Sequence, residues 1–267
     1  MTDADEPRIR PLDESTVQRI AAGEVVERPA SVVKELIENS LDAGASRIDV
    51  AVEGGGKDGI RVSDDGRGIP ESELPRAVEE HATSKISGID DLEAGVGSLG
   101  FRGEALSTIG AVSRLTIRSR PRDGPEGGTA GSELTVEGGE VGEVKPAGCP
   151  EGTTVEVENL FFNTPARKKF LKRESTEFDH VNTVVSQYAL ANPEVAVSLS
   201  HNGRELFGTE GSGSLRSAVL AVYGREVAES MPEIEYTAGE DPPVGSISGL
   251  VSHPETTRST RAYLATF

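Results

Sequence analysis

The chain has 267 residues, 35 % hydrophobic and 27 % charged, which supplies a core and excludes global disorder. Its net charge is −18, and its single cysteine, Cys149, excludes an intrachain disulfide and a cysteine metal cluster. Residues 1–10 are polar and acidic, with no apolar run of the signal-peptide kind, and no stretch approaches a membrane span, so a cytoplasmic protein is expected.

Asp13 or Ser15 can cap a helix running into residues 20–26. Pro29 suits the first turn of a second helix, extending to about Ala43 with Gly44 past its end. Residues 46–53 alternate in the strand manner through Ile48, Val50 and Val52, and residues 59–63 repeat the pattern after the turn Gly54-Gly55-Gly56. Residues 71–81 read as helix. Residues 81–100 have no clean period and many glycines, which predicts a long loop, and a helix restarts over 102–111. Residues 114–118, 132–137, 142–145 and 153–158 read as strands joined by glycine turns. A long helix spans 175–191, followed by short strands over 195–200 and 205–207. Residues 209–214 form a linker by composition, and a new helix–strand set begins beyond it. Strands and helices are grouped rather than alternating. That predicts an α+β fold, a two-layer α/β sandwich over 1–209, with the beginning of a second, incomplete α/β domain over 210–267.

Four clusters carry possible chemistry. Glu35 and Asn39 are four apart, so on a helix they share a face. An asparagine oxygen is a neutral hard ligand suited to Mg²⁺ held largely by phosphates, and a carboxylate one turn away can orient and deprotonate water. The same spacing also suits a solvated helix face. Asp64-Asp65-Gly66-Arg67-Gly68 follows a strand. An aspartate there can accept a hydrogen bond from the exocyclic amine of adenine and would repel the guanine carbonyl, while Gly66 and Gly68 let backbone approach the base. A plain Asp-Gly turn is the alternative.

Thr83-Ser84-Lys85 precedes Gly95-Val96-Gly97-Ser98-Leu99-Gly100. The match to G-x-G-x-x-G is not a dinucleotide fold, because no buried strand precedes it and no βαβ unit surrounds it. No protein-kinase signature follows, and no Walker loop is present. What remains is a glycine loop feeding a helix start at Arg102–Leu106, where N–H groups and the helix dipole favour an anion and Lys85 and Arg102 add charge. An ordinary mobile loop has the same composition. Gly152-Thr153-Thr154-Val155 opens a strand, where a threonine hydroxyl facing the site can support a nucleotide pocket, although the run is also a common strand start.

The order is the strongest signal: E-x-x-x-N on a helix, D-x-G-x-G after a strand, a glycine lid into a helix, then G-T-T on a late strand. It resembles the ATPase superfamily shared by gyrase, a heat-shock chaperone, histidine kinases and MutL. Three stretches narrow the resemblance to MutL: residues 20–29 (Ile20-Ala-Ala-Gly23-Glu24-Val25-Val26-Glu27-Arg28-Pro29), residues 100–106 (Gly100-Phe-Arg-Gly-Glu-Ala-Leu106) and residues 163–167 (Asn163-Thr-Pro-Ala-Arg167). The resemblance runs from about Leu12 to Phe267.

It implies that Glu35 is the general base, that Asn39 ligates Mg²⁺ and that Asp64, with Gly66 and Gly68, holds adenine. It further implies that Thr83, Ser84 and Lys85 lie on the lid, that Gly100, Arg102, Gly103, Glu104, Ala105 and Leu106 wrap the phosphates, and that Thr154 supports the site. MutL-like proteins use ATP to order the lid and bring two ATPase domains together as a dimer. They relay recognition of a mismatch to a downstream nuclease or helicase. Asp65 stands where the family usually has Asn, which is expected to place a further negative charge near the base. Competing readings are a nucleotide-gated interaction module with little turnover, and a gyrase-like or chaperone ATPase, against which residues 100–106 argue.

The chain has 45 acidic and 27 basic residues, and only seven of the basic ones are lysine. Such a surface stays hydrated in concentrated salt, which points to a salt-loving host, although an ordinary acidic protein has the same balance. It also argues against tight, sequence-independent DNA binding. Arg167, Lys168, Lys169, Lys172 and Arg173 form the one dense basic patch, a candidate for weak, salt-sensitive DNA contact or simply a solvated helix face.

Overall fold

The computed structural model describes residues 22, 25–80, 103–122, 130–237 and 246–253. The expected loop over 81–100 and most of the expected N-terminal helix lie outside them.

Helix α1 (Pro29–Asp42) opens with proline, whose missing N–H is not needed in a first turn. Val32, Val33, Leu36 and Ile37 recur at helical spacing and are all buried. Strands β1 (Arg47–Glu53) and β2 (Gly59–Asp64) form an antiparallel hairpin with Val50 opposite Val62, joined by a 3-10 turn over Gly54–Gly56. The expected helix over 71–81 is shorter than its pattern suggests. A 3-10 turn over Glu71–Glu73 leads into one helical turn, α2 (Leu74–Ala77), because only Leu74 and Val78 find the core there. Helix α3 (Ala105–Val112) follows and packs against α1.

Strands β3 (Arg114–Arg120), β4 (Gly131–Glu137) and β7 (Gly152–Glu158) match expectation within two residues. The expected strand over 142–145 is instead two short pieces, β5 (Glu140–Val141) and β6 (Lys145–Ala147), both paired to β4. Pro146 cannot donate to a ladder and so belongs at such an edge. Helix α4 (Pro165–Phe170) was not anticipated as a separate element. Its six residues bury nothing, so no apolar period betrays it. Helix α5 (Glu174–Ala191) and strands β8 (Ala196–His201) and β9 (Arg204–Gly208) complete the layer.

The sheet runs β5-β4-β3-β7-β2-β1-β8-β9, antiparallel except for β1 beside β8, with β6 also on β4. Every central strand alternates. Ile48, Val50, Ile60, Val62, Leu115, Ile117, Val155 and Val157 face one side and are buried under the helices. The opposite face is polar, with Arg118 bonded to both Glu133 (2.6 Å) and Glu156 (2.8 Å). This is the two-layer α/β sandwich expected, with α1, α3 and α5 on one face.

Beyond Gly208, Ser214 caps α6 (Leu215–Tyr223) by accepting from the Ser217 N–H at 3.2 Å. Helix α7 (Arg225–Glu229) and the hairpin β10 (Glu233–Thr237) with β11 (Ser246–Leu250) follow. Ala218, Val219, Val227 and Ala228 form a second small core, to which α5 contributes Leu190.

Candidate nucleotide site

Glu35, Asn39 and Asp42 fall on one half-buried face of α1, at helical spacing, on the rim left by its buried Val32–Ile37 stripe. Two neighbours fix that face. Ser40, buried, lies one residue on from Asn39 and donates to Leu36 O (3.0 Å) and to Asp64 Oδ2 (2.9 Å), tying α1 to the end of β2. Glu38 is also buried and accepts from the Tyr188 hydroxyl of α5 and from Lys34 Nζ at 2.8 Å. Lys34 stands 3.9 Å from Glu35, so its charge is directed chiefly to Glu38. The Tyr188 phenol is pushed well above its usual range by burial and by the Glu38 carboxylate it serves. None of Ser40, Glu38 or Tyr188 stood out in the sequence. The serine was legible as the residue one step round the helix from Asn39; the partner of Glu38 is 150 residues away.

Asp64 ends β2 with its carboxylate on the helix side of the sheet. Oδ1 accepts from the Gly66 N–H at 2.9 Å and Oδ2 from Ser40. Burial nevertheless raises its pKa, with bonds from Gly66, Ser40 and the Thr153 backbone pulling the other way. The two glycines after it serve close approach. A Cβ on Gly66 would stand 2.9 Å from that of Ala43, while Gly68 has φ +72° and a Cβ there would meet the Arg120 carbonyl at 2.4 Å.

One expectation is extended here and one is corrected. The Asp65 carboxylate is held by the start of β1. Its Oδ1 accepts from the Ser46 and Arg47 N–H groups, both at 2.8 Å, its Oδ2 from the Ser46 hydroxyl at 2.6 Å, and Arg122 stands 3.5 Å away. Burial tends to raise the carboxyl, but these bonds outweigh it and hold its pKa low. Asp65 clamps the start of β1, and its charge still acts on Asp64, whose pKa it helps to raise. Thr154 lies on the wrong face. It is opposite Ser63 in the ladder and its hydroxyl donates to Ser63 Oγ at 3.1 Å, on the polar side of the sheet. Thr153 is opposite Asp64, on the face shared with Val155, and its hydroxyl meets Ser119 Oγ at 2.9 Å. Strand alternation carries this information: buried Val155 and Val157 put Thr153, not Thr154, on the site's side.

Gly103 and Glu104 lead into α3, which opens with Ala105 and Leu106; all four are half-buried, with Gly103 at φ +63°. Thr83, Ser84, Lys85, Gly100 and Arg102 lie outside the described residues. The basic patch stands apart. Arg167, Lys168 and Lys169 are on α4, Lys172 and Arg173 on its link to α5, and Lys57 joins them by donating to the Lys172 carbonyl at 3.4 Å. Phe170, in their midst, is 79 % exposed.

Among solved structures, the Aquifex aeolicus MutL ATPase domain complexed with ADP superposes with a TM-score of 0.65 at 35% identity, covering 87% of this chain and 80% of that one. In sequence, MutL of Halobacterium salinarum is 60% identical over 260 residues, 97% of this chain. The chain belongs to the MutL family.

MutL of Methanoculleus marisnigri is 49% identical over 94% of the chain. The chain spans about two fifths of the length of these MutL relatives, 39% and 42% respectively. Residues 27–135 match the family model of histidine kinase-, DNA gyrase B- and HSP90-like ATPases. That segment runs from the start of α1 into β4 and so contains Glu35, Asn39, Asp64 and the start of α3. The mixed sheet with helices on one face is the fold of the MutL ATPase region. No helix among the described residues is long and apolar enough to cross a membrane, and they contain no cluster of three or more His, Cys, Asp or Glu that could hold a metal.

Proposed function

We propose that this chain binds ATP with Mg²⁺ and hydrolyses it, as the nucleotide-driven part of a DNA mismatch repair protein. The observation that carries the reading is the Ser40 bridge. It locks Asp64, placed for an adenine amine, to the helix that bears Asn39 and Glu35. Base recognition and phosphate chemistry are thereby held in one rigid frame.

In this reading Asp64 accepts from the adenine amine, the N–H groups of Gly103–Leu106 hold phosphate oxygens, and Glu35 takes a proton from the attacking water. Asn39 suits Mg²⁺ by its chemistry: one neutral oxygen donor on a carboxylate-rimmed face leaves the rest of the shell to phosphates and water. The ion would neutralise phosphate charge. Thr83, Ser84, Lys85, Gly100 and Arg102 are assigned to the lid and phosphate contacts. Thr153 takes the supporting role first given to Thr154. The ATPase unit covers 1–209 and the second unit begins at 210.

The proposal extends to ATP-dependent dimerisation, to weak DNA contact through the patch on α4, and to relay of mismatch recognition to a nuclease or helicase. It includes a salt-loving host, which the Halobacterium salinarum relative supports. The test is phosphate release by wild type and Glu35→Ala, with nucleotide binding measured alongside in molar KCl. The expected outcome is turnover by wild type and binding without turnover by the variant, a loss of about a hundredfold or more. If wild type binds ATP without turnover, the chain is a nucleotide-gated interaction module. If ATP does not bind, the assignment of Asn39 and Asp64 falls.

A further inference from the structure

A helix of eight residues leaves its last four carbonyls without partners in its own ladder. In α3 every one of them is met. Ser113 Oγ donates to Ile109 O at 2.7 Å, and the Gly139 N–H to Gly110 O at 3.0 Å. Asn163 Nδ2 donates to Ala111 O at 2.8 Å, and the Phe161 N–H to Val112 O at 2.7 Å. The turn after β4 and the segment between β7 and α4 thus grip the far end of α3 together.

The gripping segment is itself held in a costly shape. Asn159 and Phe161 have φ of +54° and +64°. Such backbone costs roughly 1–3 kcal/mol per residue and persists only where the surroundings fix it. Phe161, fully buried, supplies that fixing. The helix also has no room to slide, since a Cβ on Gly110 would stand 2.9 Å from Val136. Among the described residues, of the donors that reach α3 from beyond its own end only Asn163 uses a side chain, so it can be removed by substitution without altering the backbone.

We infer that Asn163 is a positioning residue for phosphate binding: by bonding the last turn of α3 it sets where the entry to the helix, Gly103–Leu106, presents its N–H groups. This rests on the assignment of Gly103–Leu106 to the phosphates proposed above. Donors aimed in advance need no reordering when the ligand arrives. A helix free to rock must be ordered by the nucleotide, and the loss grows with the number of phosphates gripped.

Calorimetric titration of AMP, ADP and ATP, each with Mg²⁺, into wild type and Asn163→Ala tests it. The expected result is unchanged AMP affinity and roughly tenfold weaker ATP binding, with ADP between, the size of one lost buried hydrogen bond. Equal weakening for all three nucleotides means general loosening of the fold and overturns the inference. Asn163→Leu, close in volume and lacking the donor, makes the same comparison if the alanine variant does not fold. A wild-type gain from AMP to ATP that the variants leave intact sinks the inference alone. A wild type that gains nothing along that series removes the phosphate assignment and the inference with it.

Discussion

Burial raises the Asp64 carboxyl above its ordinary range even though Gly66, Ser40 and Thr153 all bond to it. An acid whose folded pKa is raised binds its proton more tightly in the native state than in the unfolded one. Its ionisation therefore costs stability as pH rises from the unfolded value through the folded one, and the cost is complete above that. Above the raised pKa the protein carries the whole of this penalty, which in the proposed reading keeps an ionised acceptor for the adenine amine. Asp64→Asn removes it, and an asparagine can keep the Gly66 bond through its oxygen. The expected outcome is a higher Tm at pH 7, a gain that shrinks toward acid pH, together with loss of ATP binding. Thermal melts across pH beside a binding titration check both; an unchanged or lower Tm at pH 7 counts against the burial account. Asp64, Glu35 and Asn39 stand out in the sequence as candidates because each sits in a short local pattern. The clamp made by Asp65 does not, since the Ser46 and Arg47 amides it holds are 19 and 18 residues away and no local spacing reports them. Thr154 was misplaced because the G-T-T motif was read without the face assignment that Val155 and Val157 impose.

Among the elements, α1, β1, β2, β3 and α5 were predictable from period alone, because each buries a clean stripe or alternates through a buried face. The elements that escaped are those that bury little. α2 is a single turn where a longer helix was expected, and α4 buries no residue at all. α4 holds its place through its neighbours: the Lys172 N–H bonds Glu177, a buried carboxylate at the start of α5, at 2.7 Å. A helix that contributes nothing to the core and displays Arg167, Lys168, Lys169 and an exposed Phe170 is free to be selected for what it touches. If that surface meets DNA, Lys168→Glu with Lys169→Glu lowers affinity at low salt for every sequence alike, and reduces the slope of log affinity against log salt by about two. Fluorescence titration at several KCl concentrations measures both; unchanged affinity at low salt removes α4 from the DNA-binding surface.

For the whole molecule, a net charge of −18 sets the solution conditions in which the fold is favoured. Like charges on a compact surface repel one another more than on an extended chain, and salt screens that repulsion over about 10 Å at 0.1 M and about 3 Å at 1 M. Melting temperature is accordingly expected to rise from low salt into molar KCl. A flat or falling profile would contradict a surface adapted to high salt. Charge balance was readable from composition, and the glycines and serines over 209–214 are what suggested a division there. What composition did not reveal is that the two cores share a helix, with Leu190 of α5 packed against Ala218 and Val219 of α6.

β1 lies between β2 and β8, and β8 begins only at Ala196. On the ribosome, β1 and β2 emerge early and can zip at once, but the far edge of β1 has no partner until residue 201 has been made. At 5–20 residues per second that interval is about seven to thirty seconds. Throughout it, a strand bearing Ile48, Val50 and Val52 offers an open row of N–H and C=O groups, the geometry by which nascent chains stick to one another. The strand next to α1 is thus among the first parts made and among the last closed, and the negative charge already carried by neighbouring nascent chains helps to keep them apart while it waits.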